Sequence, residues 1–298
     1  MNVAFLGLGA IGLPMARHLA RPGNSVAFWN RTRATAERAV EGLPDTRVAD
    51  TPADAARGAD VVITCLPTSR EVEALLEGEH GLLAGMQRGA ILADCTSGDP
   101  ITSRRMATRL AALGIGFIDA PVSGGVVGAE KAQLTVMVGG DAAMLERARP
   151  ALACFGSNIV HCGHVGAGDA VKAVNNALLA VHIWSTAEGL ATLTKAGVDP
   201  AIALGVINTS SGRSNTSMNL FPERVLTGAF PRTFRLALLD KDVGIAAELA
   251  RAERVPSPLL QLTAELFRAA HHAQGEAADH VEAVREVERS AGVESRAG

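Results

Sequence analysis

Val3-Ala4-Phe5-Leu6-Gly7-Leu8-Gly9-Ala10-Ile11-Gly12-Leu13-Pro14-Met15-Ala16-Arg17 decides the fold. Four apolar residues run straight into three glycines, and a helical pattern follows. A Gly-x-Gly-x-x-Gly that ends a strand and opens a helix is the fingerprint of a dinucleotide-binding unit. Gly7 permits the tight turn, Gly9 leaves the backbone bare for a pyrophosphate, and Gly12 lets helix and strand pack closely. Leu8, Ala10 and Ile11 complete the loop. The start of the helix adds free N–H groups and partial positive charge for the phosphates. A purely structural glycine turn is the competing reading; the strand before it and the helix after it weigh against that.

The same alternation continues outward. Strand patterns fall at 3–6, 25–29, 61–65, 90–94, 116–119, 134–138 and 158–161. Helical patterns lie between them at 11–20, 33–41, 71–76, 100–113 and 141–153. Such alternation predicts an α/β domain built on a parallel, doubly wound sheet of Rossmann type. After about residue 165 the strands stop. Residues 170–196 form one long, proline-free, mostly apolar helix, expected to be buried on most sides. Gly197-Val198-Asp199-Pro200 ends it. Further helices are expected at 201–208, 240–253, 258–274 and 279–290, and the last eight residues, small and polar, are expected to be disordered. The organisation is a cofactor-binding domain at 1–165, a bridging helix at 166–196, and an all-α domain at 197–298 for substrate binding and oligomerisation. A homodimer or homotetramer is expected, with the long helix packing on a second subunit.

Composition narrows the function classes. The 298 residues are 48% apolar and 20% charged, with a net charge of -3. That is enough for two cores, and nothing draws the whole molecule to nucleic acid or an anionic membrane. The apolar runs are broken well short of the ~20 residues that cross a bilayer. A strand begins at once, with no basic segment ahead of it, so no secretory leader is expected. Cys65, Cys95, Cys154 and Cys162 form no Cys-x-x-Cys pair and read as buried, reduced thiols of a cytoplasmic protein. The chain has no tyrosine, which removes the Tyr-Lys pair of short-chain dehydrogenases.

The second strand runs into Asn30-Arg31-Thr32-Arg33. A site that prefers NAD usually carries Asp or Glu here, bonded to the ribose 2′-OH. None is present, and Arg31 and Arg33 can fork onto a 2′-phosphate. NADP is therefore favoured over NAD, against the reading of a solvated basic loop. Leu66-Pro67, after the next strand, would lie along the cofactor's edge.

Three clusters then follow: Asp94-Cys95-Thr96-Ser97-Gly98, Asp119-Ala120-Pro121-Val122-Ser123-Gly124-Gly125, and Gly166-Ala167-Gly168-Asp169-Ala170-Val171-Lys172. Ligands of open α/β sheets bind beyond the carboxyl ends of the strands, where the first two lie. Ser123, Gly124 and Gly125 offer a hydroxyl and bare amides, a cradle for a carboxylate. Thr96 and Ser97 can reach the nicotinamide end. Lys172 and Asn176 share one helix face. Desolvation would lower the pKa of Lys172 and fit it for proton transfer; a snorkelling lysine at a helix end is the bland alternative.

These motifs, with Lys241-Asp242, resemble the β-hydroxyacid dehydrogenase family, and the resemblance covers nearly the whole chain. It implies a reversible hydride transfer between NADP(H), or NAD(H), and a small carboxylate-bearing hydroxy acid or its semialdehyde. Lys172 would be the acid/base, protonating the alkoxide in reduction and accepting that proton in oxidation. Ser123 and Gly124 would hold the carboxylate, helped by Asn176. Gly125 and Asp242 are further candidate substrate contacts, as is Phe234, which otherwise reads as core or pocket wall. Ser97 would meet the nicotinamide end, and Lys241 would close over the cofactor. Binding would be ordered, cofactor first. The chain departs from the family in reading Thr96-Ser97 for Ser-Thr and Asp279-His280-Val281-Glu282 for Asp-x-Ser-Ala. The alternatives are an imine reductase of the same fold, whose members generally lack the lysine, and a non-catalytic cofactor-binding interaction module. No metal is expected: His161, Cys162 and His164 fit no standard zinc spacing. His271-His272 reads as a solvated helix end, and Trp184 as core or pocket wall.

Overall fold

In the computed structural model, which describes residues 1–297, the chain divides into two compact units, Met1–Lys172 and from Ala173 on. The first unit is a nine-stranded sheet clad in helices. Its elements run β1 (Asn2–Leu6), α1 (Gly12–His18), β2 (Ser25–Trp29), α2 (Arg33–Val40), β3 (Thr46–Val48), α3 (Pro52–Ala56), β4 (Val61–Thr64), α4 (Ser69–Leu76), α5 (Leu82–Gly85) and β5 (Ile91–Asp94). Then come α6 (Pro100–Ala112), β6 (Gly116–Asp119), β7 (Val122–Ser123), α7 (Gly125–Glu130), β8 (Leu134–Gly139), α8 (Ala142–Leu152) and β9 (Gly156–Gly163).

The strand order is β3-β2-β1-β4-β5-β6-β8-β7, with β9 on the far side of β8. The first six strands are parallel and in the doubly wound order, so the chain reverses its direction of winding between β1 and β4. Strands this apolar on both faces need helices on both sides. Val3 and Phe5 of β1 join one buried cluster, while Ala4 and Leu6 join the other. Helix starts are marked by side-chain caps: Thr51 with Pro52 for α3, Asp99 with Pro100 for α6, and Asp141 for α8.

The sheet is not wholly parallel. β8 runs antiparallel to β6 and β7, and β9 runs parallel to β8. The chain runs on from β6 through Pro121 into β7 along β8, and turns back after Gly124–Gly125, where both glycines have positive φ. β3, β7, α3, α5 and α7, each six residues or shorter, are absent from the sequence expectation; a stretch this short stands out only when it is as apolar as β4 or β5.

Helix α9 (Ala167–Lys195) begins in the first unit and continues into the second. The second unit continues with α10 (Pro200–Asn208), a π-helical segment Thr216–Val225, α11 (Leu236–Ala252), α12 (Pro258–Gln274), a 3-10 turn His280–Ala283 and α13 (Val284–Ala291). Its core gathers Phe221, Phe267, Leu236, Leu239 and Val243 against the alanines of α9. α9 is less enclosed than expected. Val174 and, one turn on, Leu178 are exposed, Leu178 by 49%.

The expected disorder of the last residues is overturned up to Ala297; Gly298 lies outside the described residues. Ser295 is buried, and the Arg296 guanidinium forks onto Glu288 at 2.6 and 3.0 Å. The amide of Ala297 donates to the Leu226 carbonyl at 2.9 Å. A buried glutamate supplies the partner that the small, polar tail lacks by itself.

Candidate active site

The three fingerprint glycines occupy three different environments. Gly7 has φ +102°, and a Cβ there would lie 2.3 Å from the carbonyl oxygen of Cys65. A Cβ on Gly12 would lie 2.0 Å from the carbonyl of Gly7. A Cβ on Gly9 would meet nothing within 4 Å. Two glycines are thus forced by packing, and the third leaves open space beside bare backbone. A pyrophosphate fits that space, so the loop from Gly7 to Gly12 can hold a dinucleotide.

Asn30 joins this loop directly. Its Oδ1 accepts the amide of Leu8 at 3.0 Å and its Nδ2 donates to the Thr32 carbonyl at 3.1 Å. Arg33, read from sequence as a possible phosphate fork, is engaged instead: it pairs with Glu37 at 2.9 Å and with Asp50. Arg31 is exposed and makes no ion pair among the described residues. Thr32 caps α2 without using its hydroxyl.

On the neighbouring strands, Leu66 packs beside Gly7 and its amide donates to the Thr96 hydroxyl at 3.1 Å. Pro67 is exposed. Thr96 is buried and Ser97 only half-buried, so Ser97 is the hydroxyl of the pair with open surface. Ser123 ends β7 half-buried, and Gly124 and Gly125 follow it exposed, with φ of +135° and +64°. Gly125 has room for an incoming group, since a Cβ there would touch nothing.

Lys172 stands in the second turn of α9 and is only 9% exposed. Gly166 and Gly168 explain how the chain enters this helix. Gly166 has φ +89°, and a Cβ on Gly168 would lie 2.2 Å from the Met137 carbonyl. In the second unit Asn176 is buried and its Nδ2 donates to Asp242 Oδ2 at 2.6 Å. Asp242 also pairs with Lys241 at 2.9 Å. Asp242 therefore serves Asn176 and Lys241 directly. Phe234 stacks at a tilt on His280, 5.4 Å between ring centres, and its amide donates to Asp279 at 3.0 Å.

Three buried acids carry no role in the sequence reading. Asp94 accepts from the Thr64 hydroxyl at 2.8 Å and the Thr96 amide at 3.0 Å. Asp119 accepts from the amides of Gly166 at 2.7 Å and Asp169 at 3.0 Å. Asp169 accepts from the Gly98 amide at 3.1 Å and the Ser103 hydroxyl at 2.6 Å. Burial pushes all three carboxyls up, Asp94 to about 6. The only signal in the sequence is position: Asp94 and Asp119 end strands, and Asp169 opens the lysine helix.

The residues set aside in the sequence also find partners. His161 bonds the Gly140 carbonyl at 2.8 Å. His271 is not simply solvated, as expected, but half-buried between Asp240 at 2.9 Å and Glu276 at 3.2 Å. Trp184 is half-buried, bonds Glu188 at 2.9 Å and packs tilted on Phe267. No group of three or more His, Cys, Asp or Glu is arranged to hold a metal among the described residues. All four cysteines are free, but only Cys95 and Cys154 are buried; Cys65 and Cys162 keep some exposed surface. No helix among the described residues is long and apolar enough to cross a membrane.

Comparison with known proteins agrees with this geometry. Residues 2–163 match the NAD binding domain of 6-phosphogluconate dehydrogenase. Residues 166–287 match the family described as NAD-binding of NADP-dependent 3-hydroxyisobutyrate dehydrogenase. The chain is 39% identical to the 3-hydroxyisobutyrate dehydrogenase of Pseudomonas aeruginosa over 285 residues, 93% of each chain. It is 36% identical to the NAD-dependent L-serine dehydrogenase of the same organism, over 90% of this chain and 91% of that one. A solved structure of Mycobacterium tuberculosis 3-hydroxyisobutyrate dehydrogenase with L-serine superposes with a TM-score of 0.87 at 31% identity. It covers 96% of this chain and 98% of its own. With both halves matched, and a relative 39% identical over 93% of each chain, the chain belongs to the β-hydroxyacid dehydrogenase family of NAD(P)-dependent oxidoreductases.

Proposed function

We propose that the chain interconverts a small, carboxylate-bearing hydroxy acid and its carbonyl form, with Lys172 as the acid/base. The observation that carries this is the burial of one lysine, 9% exposed, at the entry of α9 in the unit that bears the glycine loop. Burial shields this amine from bulk water, so a proton it passes to or takes from a substrate is not lost to solvent. When bound, the nicotinamide supplies or accepts the hydride. The Nζ of Lys172 donates a proton to the nascent alkoxide in reduction and takes it back in oxidation. Ser123, Gly124 and Gly125 supply a hydroxyl and amides to a carboxylate, which fixes the carbon that reacts.

NADP is the preferred cofactor in this reading, supported by the exposed guanidinium of Arg31 and the absence of an acid from Trp29 to Arg33. Residues 1–165 would bind it, and residues 197–298 would serve the substrate and assembly. A homodimer or homotetramer is supported by exposed apolar side chains of the second unit: Val174 and Leu178 on α9, and Ile202 and Val206, one turn apart on α10. The unpaired cysteines suit a reducing cytoplasm.

The decisive experiment is Lys172→Ala, assayed with NADPH or NADH against glyoxylate, succinic semialdehyde and tartronate semialdehyde, and with NADP or NAD against 3-hydroxyisobutyrate and L-serine. The expected result is a loss of about 10²- to 10⁴-fold in kcat with cofactor affinity unchanged. An undiminished kcat sinks the assignment.

A further inference from the structure

We infer that Asp169 is a positioning residue: it ties the loop that carries Ser97 to the helix turn that carries Lys172, and so fixes the acid/base relative to the nicotinamide end of the site. The inference rests on the function proposed above. Its geometry is internal to the first unit. Asp169 is 2% exposed and lies three residues before Lys172 on α9. Its Oδ1 accepts the amide of Gly98, the residue after Ser97, at 3.1 Å. Its Oδ2 accepts the hydroxyl of Ser103, in the first turn and a half of α6, at 2.6 Å.

Two further contacts make the tie rigid. Asp119, at the end of β6, accepts the amide of Asp169 itself at 3.0 Å and that of Gly166 at 2.7 Å. The start of α9 is therefore pinned to the sheet as well as to the β5 loop. Gly98 cannot retreat or be enlarged: a Cβ there would lie 2.8 Å from Ser69 Oγ and 3.1 Å from Asp169 Oδ2. Ser69 is held in turn, because its hydroxyl accepts the Asp99 amide at 2.8 Å. One carboxylate thus joins segments 71 residues apart in sequence, and each of those segments carries a proposed functional side chain.

The role is geometric. Burial and the nearby Asp119 carboxylate both push the Asp169 carboxyl well above the usual range. A neutral side chain of the same shape should therefore serve. Asparagine keeps an oxygen for the Gly98 amide and places an N–H toward the Ser103 hydroxyl, which can accept.

The test compares Asp169→Asn, Asp169→Ala and Ser103→Ala with the unaltered enzyme and with Lys172→Ala. The probe is 3-hydroxyisobutyrate with hydrogen or deuterium on its carbinol carbon, or L-serine so labelled if that is turned over faster. The melting midpoint and the dissociation constant for NADPH are read in parallel. Misplacement by about 1 Å costs up to roughly 10²-fold in rate, so Asp169→Ala is expected to lower kcat by about 10- to 100-fold. Its isotope effect on kcat should rise as hydride transfer becomes limiting, with NADPH affinity unchanged. Asp169→Asn should restore most of the rate, and Ser103→Ala should fall between. If Asp169→Ala does not fold, Ser103→Ala decides by its isotope effect. Wild-type kcat and isotope effect in the folded variants overturn the inference, as does an asparagine variant as slow as the alanine one. Failure of the underlying function looks different: no turnover of either probe by the unaltered enzyme, or full activity in Lys172→Ala.

Discussion

Asn30 Oδ1 accepts the amide of Leu8 at 3.0 Å, so the end of β2 and the glycine loop after β1 move as one piece. A polar side chain at this place both shapes the glycine loop and occupies the position where an acid would select NAD. Asn30→Ala leaves the Leu8 amide without its partner. One hydrogen bond is worth about 0.5–1.5 kcal/mol, so KM should rise roughly two- to tenfold for NADPH and NADH alike. A rise confined to one cofactor would count against the structural role of Asn30.

Arg31 should discriminate between the cofactors. It is exposed and makes no ion pair among the described residues, whereas Arg33 is occupied by Glu37 and Asp50. A hydrogen bond to a charged group is worth about 1.5–3 kcal/mol, so Arg31→Ala should raise KM for NADPH by roughly tenfold or more and leave that for NADH in place. Equal effects on both cofactors would reject NADP preference as the work of this side chain.

What could be read from the sequence, and what could not, follows from the range of the forces involved. The roles of Gly7, Gly9 and Gly12 are local, set by a turn, a bare backbone and a helix crossing its own strand, so twelve residues suffice to declare them. The expected use of Arg33 is lost to Asp50, an acid 17 residues on. Asp94, Asp119 and Asp169 look like ordinary loop polar residues in the sequence. Their meaning comes only when the fold brings Thr64 to Asp94, Gly166 to Asp119, and Gly98 and Ser103 to Asp169. The docked tail is hidden for the same reason, since Ser295 and Arg296 are unremarkable until Glu288 is buried beside them.

Asp94 should give the fold a characteristic dependence on pH. Burial raises its carboxyl, and the Asp119 charge adds to this, outweighing the bonds from Thr96 and Thr64, so that it titrates at about 6. Unfolded, it would titrate near 4. Between those values the folded protein holds a proton that the unfolded chain releases, so stability falls as pH rises from about 4 to about 6. The span of two units corresponds to about 3 kcal/mol. Asp94→Asn keeps an acceptor for the Thr64 hydroxyl and the Thr96 amide and cannot ionise. Its amide N–H groups meet no partner where Oδ2 now lies, a fixed cost of about 1–3 kcal/mol. The variant should therefore gain on the parent steadily across that window in thermal melts. Parallel melting curves from pH 4 to 7 would refute the shift.

Asp279 should behave in the opposite sense. Burial alone would raise its carboxyl, but the bond and charge of His280 and the amides of Thr233 and Phe234 hold it well below the usual range. Arg224 adds an ion pair at 3.2 Å. A depressed folded pKa contributes stability above the ordinary carboxylate range of about 4, and this is lost as pH falls through and below it. Asp279→Asn should cost on the order of 3 kcal/mol at pH 7, as expected when a buried pair loses one partner. The deficit should shrink as the pH of the melt is lowered from 5 toward 2. A constant deficit would mean that packing, not charge, is what Asp279 provides.

The last segment offers a test of what a docked terminus contributes. Glu288 is buried, and its carboxylate takes the Arg296 fork at 2.6 and 3.0 Å and the Ser295 amide at 2.9 Å. Arg296 also lies over the Phe230 ring, 5.5 Å from its centre. Ending the chain after Gly292 removes every one of these partners and strands a buried negative charge. The expected loss is about 3–5 kcal/mol, seen as a lower melting midpoint of the second unit. Much of that cost is the orphaned charge rather than the missing contacts. Glu288→Gln in the shortened chain should therefore recover part of it, although the same substitution in the full chain should destabilise by removing the charge that the Arg296 fork grips. Two losses that simply add would show that Glu288 and the tail act independently, contrary to the fork between them.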